Sequence, residues 1–332
     1  MTSPNISVVI INYNGGAFLQ NAVDSLARQT YRDFELILLD NASTDGSPQA
    51  VDLSALPSAS LILNPENTGF AGGNNLAARQ ARGRWLVLLN PDTVAEPDWL
   101  KQLMAAAEGN PGIQTFASAQ IDLATPSLMD GAGDAYLLFG IPWRGGFSRP
   151  VTELPQPGFC FSACGAAAMY DLILFRDMGG FDERYFCYCE DVDLGFRLQL
   201  AGHDCLFVPG AVVRHTGSGI TGRASAFATY HGTRNRVWTY FKNMPLPLLI
   251  LTLPGHLMLT AYIVIHNAFT PRTRPMLKGL LDGITGIKRI RTDCAWKVSS
   301  RKLGLWSLVN RMAWNPWLLH RRKVHVRPQP RG

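Results

Sequence analysis

Three side chains in this sequence are best placed for chemistry: Asp92, Asp191 and His215. Asp92 ends the run Trp85-Leu86-Val87-Leu88-Leu89-Asn90-Pro91-Asp92, in which an unbroken apolar segment delivers a carboxylate into a proline-shaped turn. Apolar strands of this kind belong to sheets covered on both faces, and such sheets take ligands at the carboxyl ends of their strands. Asp191 stands in Glu190-Asp191-Val192-Asp193-Leu194-Gly195-Phe196-Arg197, an acid-led segment closed by Gly202 that reads as a helix from its first turn. There it is either an N-cap or a general base, since a helix N-terminus keeps a carboxylate ionised at some cost in basicity. His215 follows the β-branched pair Val212-Val213 and precedes Thr216-Gly217-Ser218-Gly219, a position that suits a structural histidine or a ligand.

These residues need a scaffold, and the first hundred positions supply one by alternating strand and helix. Ser7 to Ile11 is β-branched, Phe18, Ala22, Val23 and Leu26 recur at helical spacing, and Phe34 to Leu39 is a second apolar strand. Leu61 to Leu63 and Trp85 to Leu89 add two strands around a helix over Gly72 to Ala81, and Pro97 and Gly109 bracket the helix that follows Asp92. Repeated βα units predict a doubly wound, mainly parallel α/β sheet with right-handed crossovers. Each strand end carries a polar device: Asn12-Tyr13-Asn14-Gly15-Gly16, Asp40-Asn41-Ala42-Ser43-Thr44-Asp45-Gly46-Ser47, and Asn64 through Asn75 with Gly69, Gly72 and Gly73. Exposed backbone N–H groups and a helix N-terminus suit a diphosphate, Asp40 can accept from a base or ribose, and Tyr13 offers a ring face. For the loop at Asp40 the competing reading is a turn that caps the next helix. A nicotinamide-dependent oxidoreductase is disfavoured, because the first strand runs into N-Y-N-G-G rather than G-x-G-x-x-G.

Charge divides the chain. Residues 1 to 241 carry 15 Lys+Arg against 23 Asp+Glu, a net of −8, whereas residues 242 to 332 carry 16 against 2, a net of +14. From Asn243 to Pro271 no residue is charged, and Leu246 to Phe269 is nominally long enough to cross a bilayer. Pro254-Gly255-His256 splits that stretch, and a single crossing would put the basic tail outside, against the positive-inside preference. Downstream, Leu277, Leu280, Leu281, Ile284, Ile287 and Ile290 recur near helical spacing among Lys278, Lys288, Arg289 and Arg291. Trp296, Trp306, Trp314 and Trp317 follow, interleaved with Lys297, Arg301, Lys302, Arg311, Arg321, Arg322 and Lys323. Basic amphipathic segments with Trp favour an anionic membrane surface, so the expected attachment is peripheral or re-entrant; the bland reading is a helical subdomain packed on the body. Met1-Thr2-Ser3-Pro4-Asn5 has no basic n-region, which places the body in the cytosol, and no recognition motif accompanies the basic tail, which disfavours nucleic acid. The six cysteines, Cys160, Cys164, Cys187, Cys189, Cys205 and Cys294, form no C-x-x-C pair; the first four are loose matches to a zinc site, and small buried thiols fit better.

SVVIINYNG, LLDNASTDGS, NTGFAGGNN, LLNPDT and YCEDVDLGFR, in this order, resemble the inverting family 2 glycosyltransferases of the GT-A fold, and most nearly their bacterial rhamnosyltransferase-like branch. The resemblance covers about residues 5 to 241, giving a catalytic domain over 1–241 and a helical, membrane-associating region over 242–332. It implies that Tyr13 and Asp40 hold the nucleoside, that Asn67, Gly69 and Asn74 line ribose and diphosphate, and that Arg234 and Arg236 lie near the donor. It further implies Asp92 as ligand of a divalent metal, Mg2+ or Mn2+, with His215 as a metal or phosphate contact, and Asp191 as catalytic base. Asn90 stands where many relatives have Asp. The implied reaction moves a sugar, first of all L-rhamnose from dTDP-rhamnose, to a glycan or lipid-linked acceptor at the cytoplasmic face of the inner membrane, in cell-surface polysaccharide synthesis. Sugar specificity is expected in loops such as 131–158. The alternative is a non-catalytic nucleotide-sugar- or membrane-binding protein of the same fold.

Overall fold

The structure is a computed structural model describing residues 3–217, 225–292 and 302–329. Ser218 and Gly219, and Cys294, Trp296, Lys297 and Arg301 of the tail, lie outside the described residues. The first half runs β1 (Ile6–Asn12), α1 (Gly16–Ala27), β2 (Phe34–Asp40), α2 (Ser47–Ala50), β3 (Ala59–Leu63), α3 (Gly69–Gln80), β4 (Trp85–Leu89), β5 (Thr93–Ala95) and α4 (Trp99–Gly109). The middle is strand-rich: β6 (Thr115–Asp122), β7 (Met129–Ala132), β8 (Asp134–Leu137), β9 (Ile141–Arg144), β10 (Gly158–Cys160) and β11 (Ala167–Asp171). Then come α5 (Leu172–Asp177), α6 (Glu190–Ala201), β12 (Cys205–His215) and α7 (Ala226–Asn243). The remainder comprises α8 (Leu246–His266), α9 (Thr273–Thr285), α10 (Ile287–Thr292), α11 (Leu305–Arg311), α12 (Pro316–His320) and β13 (Arg327–Pro328).

The sheet order is β13-β10-β12-β6-β11-β4-β1-β2-β3, with β5 joined to β12 and β7 to β6; β8 and β9 form a separate hairpin. β3, β2, β1 and β4 are mutually parallel, as the βα alternation predicts, while β11 enters antiparallel between β4 and β6. Alternate residues of the same strands feed two cores. Val9, Ile11, Ile37, Leu39, Leu86 and Leu88 face one helical layer, and Val8, Ile10, Leu36, Leu38, Val87 and Leu89 face the other. That period of two, with both faces covered, is why these strands read as continuous apolar runs. α4 begins at Trp99 rather than Pro97, because Trp99 N–H closes a turn onto the Glu96 carbonyl at 2.9 Å and Asp98 takes the cap position.

The tail is folded onto this body. α8, of mean hydropathy 2.0, is long and apolar enough to cross a membrane. It runs unbroken through Pro254 instead of splitting at Pro254-Gly255-His256. Gly255 is needed there, since a Cβ would meet the Phe139 ring at 2.4 Å. One stripe of α8, Leu248, Leu249, Thr252 and His256, is buried, and Leu259 and Ile263 continue it against the β8–β9 hairpin. Tyr240 stacks on His256 at 4.0 Å, and His256 Nδ1 lies 2.9 Å from the Phe139 carbonyl oxygen. The opposite face, Ile250, Leu251, Leu257, Met258 and Ile265, is exposed.

Candidate active site

A cleft of about 670 Å³ opens at the carboxyl ends of β1 and β4, with Tyr13, Asn67, Gly69, Asp92, Asp191 and His215 all in its lining. Fully buried β4 brings Asp92 to the rim. The turn beyond is fixed by Asn90 N–H on the Ala166 carbonyl (2.9 Å) and by the Thr93 hydroxyl on the Asn90 carbonyl (2.6 Å). His215 is the last residue of β12, whose antiparallel pairing with β5 sets it opposite Thr93 and therefore beside Asp92. Its Nε2 lies 3.2 Å from Asp92 Oδ1, while Nδ1 lies 2.6 Å from Oδ2 of Asp130 on β7, which is ion-paired in turn with Arg144 on β9. Asp92, His215 and Asp130 are all buried. Burial depresses the His215 pKa, but the Asp130 and Asp92 carboxylates outweigh it and the net shift is upward.

This arrangement fits a divalent cation. Among the described residues His215 Nε2 is buried without a well-aligned hydrogen-bond partner, and it lies 3.2 Å from Asp92 Oδ1 at the cleft wall. Asp130 holds the other ring nitrogen, as a carboxylate behind a ligating histidine does to fix its tautomer. One carboxylate and one imidazole with substrate phosphates and water make a donor set compatible with Mg2+ or Mn2+.

At the other end stands Asp191. α6 is capped by the backbone of Cys189 in the left-handed conformation, with no side-chain cap, so Asp191 is not the N-cap. Its Oδ2 accepts from Gly165 N–H and its Oδ1 from Val192 N–H, both at 2.8 Å. Burial raises its pKa against those two backbone bonds and the Arg144 charge. Asp134 on β8, buried in the same cleft, has ligand atoms within 4.8 Å of those of Asp191 and Cys164. Burial and the Asp191 charge raise Asp134 well above the usual carboxylate range. Burial likewise pushes the Cys164 thiol up to about 12. The four cysteines weighed for zinc do not converge: among the described residues Cys160 faces Cys205, Sγ to Sγ 3.4 Å, and Cys164 groups with the two carboxyls.

The loops at the strand ends divide. Tyr13 is 44% exposed over the cleft, and Asn67 Oδ1 accepts from Gly69 N–H at 2.9 Å. Gly69 has φ +73°, and a Cβ there would lie 2.3 Å from the Phe186 carbonyl oxygen. Asp40 is buried beneath the rim, where Oδ1 accepts from Asn12 Nδ2 (2.7 Å) and the Ser43 hydroxyl (2.6 Å) and Oδ2 from Ser43 N–H (3.0 Å). Its carboxylate thus builds the turn, and the neighbouring Asn41 reaches the cleft. Asn74 is buried within α3, donating to the Phe70 carbonyl at 2.9 Å. On α7, Arg234 donates to the Tyr185 carbonyl at 2.9 Å and lies over the Trp238 ring, and Arg236 is 9% exposed with Nη1 unpartnered among the described residues. Asp40, Asn74, Arg234 and Arg236 are not among the cleft-lining residues. Sequence reasoning missed Asp130, Asp134, Arg144 and Gly165, and Phe186 to Cys189. Only the last four carried a signal, as the residues leading into the acid-rich helix.

Comparison with known proteins bears on the family and the fold. The model of "Glycosyl transferase family 2" matches residues 7–171. N-acetylglucosaminyl-diphospho-decaprenol L-rhamnosyltransferase of Mycobacterium tuberculosis is 30% identical over 313 residues, covering 84% of this chain and 98% of that one. Among solved structures, the mannosyltransferase PcManGT from Pyrobaculum calidifontis, in complex with GDP-Man and Mn2+, superposes with a TM-score of 0.53 at 17% identity, covering 87% of this chain and 88% of that one. S. aureus TarS 1-349 in complex with UDP-GlcNAc superposes with a TM-score of 0.56 at 16% identity, covering 86% and 82%. With a full-length relative, a family model over the strand-rich half and GT-A folds in common, this chain belongs to glycosyltransferase family 2.

Proposed function

We propose that the protein is a metal-dependent inverting glycosyltransferase that moves L-rhamnose from dTDP-L-rhamnose to a hydroxyl of a lipid-linked diphosphate glycan, the acceptor class named for its mycobacterial relative. The observation that carries this is one cleft lined both by the Asp92–His215 pair and by Asp191, a half-buried carboxylate of raised pKa. A divalent cation held by Asp92 and His215 would neutralise the diphosphate leaving group. Asp191 takes the acceptor hydroxyl proton as that oxygen attacks the anomeric carbon from the face opposite the nucleotide, and the single displacement inverts configuration. Gly165 N–H holds the carboxylate for that task. Tyr13, Asn67 and Gly69 line the same cleft and are the residues assigned here to the donor.

The tail suits an acceptor that resides in a bilayer. The outer face of α8, Leu277, Leu281 and Ile284 of α9, and Trp306, Trp314 and Trp317 leave large apolar side chains exposed in the part of the chain that carries the net positive charge. Because the buried stripe of α8 lies along the body, in-plane attachment at the cytoplasmic face of the membrane fits better than crossing. The test is transfer from dTDP-L-rhamnose to N-acetylglucosaminyl-diphospho-prenol by the full chain, with Mn2+ or Mg2+ titrated and the anomeric configuration of the product read by NMR. Metal-dependent transfer with inversion is expected. Donor binding without turnover across a panel of nucleotide sugars would leave the non-catalytic binding protein as the better reading.

A further inference from the structure

The segment leading into the base is wound against its own steric preference. Phe186 (φ +64°, ψ −62°), Tyr188 (φ +71°) and Cys189 (φ +65°) lie at positive φ, where residues with a Cβ are disfavoured, and all three line the cleft. Phe186 closes a γ-turn, Cys187 N–H donating to the Tyr185 carbonyl at 2.8 Å. A segment of this kind holds its shape only when its surroundings over-determine it, and here the surroundings come chiefly from one side chain.

Asn235 of α7 is fully buried, and its Nδ2 lies within hydrogen-bond distance of the carbonyls of Tyr185 (2.9 Å), Cys187 (2.9 Å) and Tyr188 (2.7 Å), its two N–H hydrogens shared among the three. Its Oδ1 accepts from Arg234 Nε at 2.9 Å, which fixes the amide orientation, and Arg234 Nη2 adds bonds to the carbonyls of Tyr185 (2.9 Å) and Arg184 (3.2 Å). From the opposite wall Ala71 N–H donates to the Phe186 carbonyl at 3.1 Å. We propose that Asn235 is the positioning residue of the catalytic base: it gathers three carbonyls of the left-handed segment and so sets where α6 begins and where Asp191 presents its carboxylate. Arg234, which the family resemblance would put at the donor, braces this clamp. The proposal rests on Asp191 being the base.

The test uses the full-length enzyme and three variants. Asn235→Ala should lower kcat by on the order of 10²-fold, the scale for a reacting group displaced by about an ångström, with donor KM little changed. Adding Cys189→Gly to Asn235→Ala should restore much of kcat, because glycine adopts the cap conformation without strain. Should Asn235→Ala fold poorly, Asn235→Ser, which keeps one donor, carries the same comparison with and without Cys189→Gly. Normal kcat in the Asn235 variant overturns the proposal, as does failure of the glycine to restore kcat while Tm is wild-type. Asp191→Asn separates the two claims: turnover there removes the base assignment itself, whereas an inactive Asp191→Asn beside a fully active Asn235→Ala removes only the clamp.

Discussion

Asp191 and Asp193 stand two residues apart in the first turn of α6, and the molecule drives them in opposite directions. Asp193, fully buried, accepts from Arg197 Nε (3.0 Å), Lys242 Nζ (2.8 Å), Asn243 Nδ2 (2.7 Å) and the Tyr185 hydroxyl (3.3 Å). Burial alone would raise its pKa, but Lys242 and Arg197 overcome that and hold it below the ordinary carboxylate value. Asp191 is half-buried at the cleft, its hydrogen bonds come from two backbone N–H groups, and the desolvation it suffers there raises its pKa. The saturated acid fastens the helix to α7 and has no capacity left for a proton. The under-satisfied acid faces the cleft with its basicity enhanced, as a general base at neutral pH requires.

The contrast can be tested by removing each acid in turn. Asp191→Asn should lower transfer by roughly 10²- to 10⁴-fold, the usual reach of general-base catalysis, while calorimetric titration shows donor affinity largely retained. Asp193→Asn should leave the reacting groups in place but cost about 3–5 kcal/mol of stability in urea unfolding, because Lys242 and Arg197 lose a buried partner. The sign with pH follows from the lowered pKa. The contribution of Asp193 is complete above the carboxyl pKa of the unfolded chain and disappears as pH falls through the lower folded value, so the Asn variant should lack that loss. Asp130 extends the comparison to the metal end: Asp130→Asn should weaken Mn2+ binding by about 10- to 100-fold, read by electron paramagnetic resonance. The mildest effect is on the pH–rate profile, whose acid limb should lie above the range of an ordinary aspartate, since protonating a base of raised pKa silences it early.

Much of this was legible because it is local. The apolar run into Asp92, the acids opening α6 and the histidine closing β12 each announce themselves within a few residues, and the structure brings all three to one cleft. Asp130, Asp134 and Arg144 did not, because they sit on the four-residue strands β7, β8 and β9, too short for a period-of-two pattern, and meet their partners only through long-range pairing. Asp40 shows the opposite difficulty. The residue type is right for a nucleoside contact, but the same Asx-rich stretch satisfies the carboxylate within its own turn, and nothing in the local sequence decides between the two. In the tail the apolar and basic pattern was readable, whereas the return of the chain to the body was not, since a two-residue strand leaves no signature.

That return has its own consequence. β13 pairs with β10 at the edge of the central sheet, and Arg311 reaches Asp204 at 3.1 Å, while at the other end Lys242 is bound to Asp182 and Asp193. The helices carrying the exposed apolar face are therefore a strap buckled at both ends rather than a tether. A tether lets an enzyme search at varying height; a strap makes the distance from a supporting surface to the cleft a fixed length. On the attachment proposed above, that fixed length would make the height of the acceptor hydroxyl, as well as its chemistry, a condition for transfer.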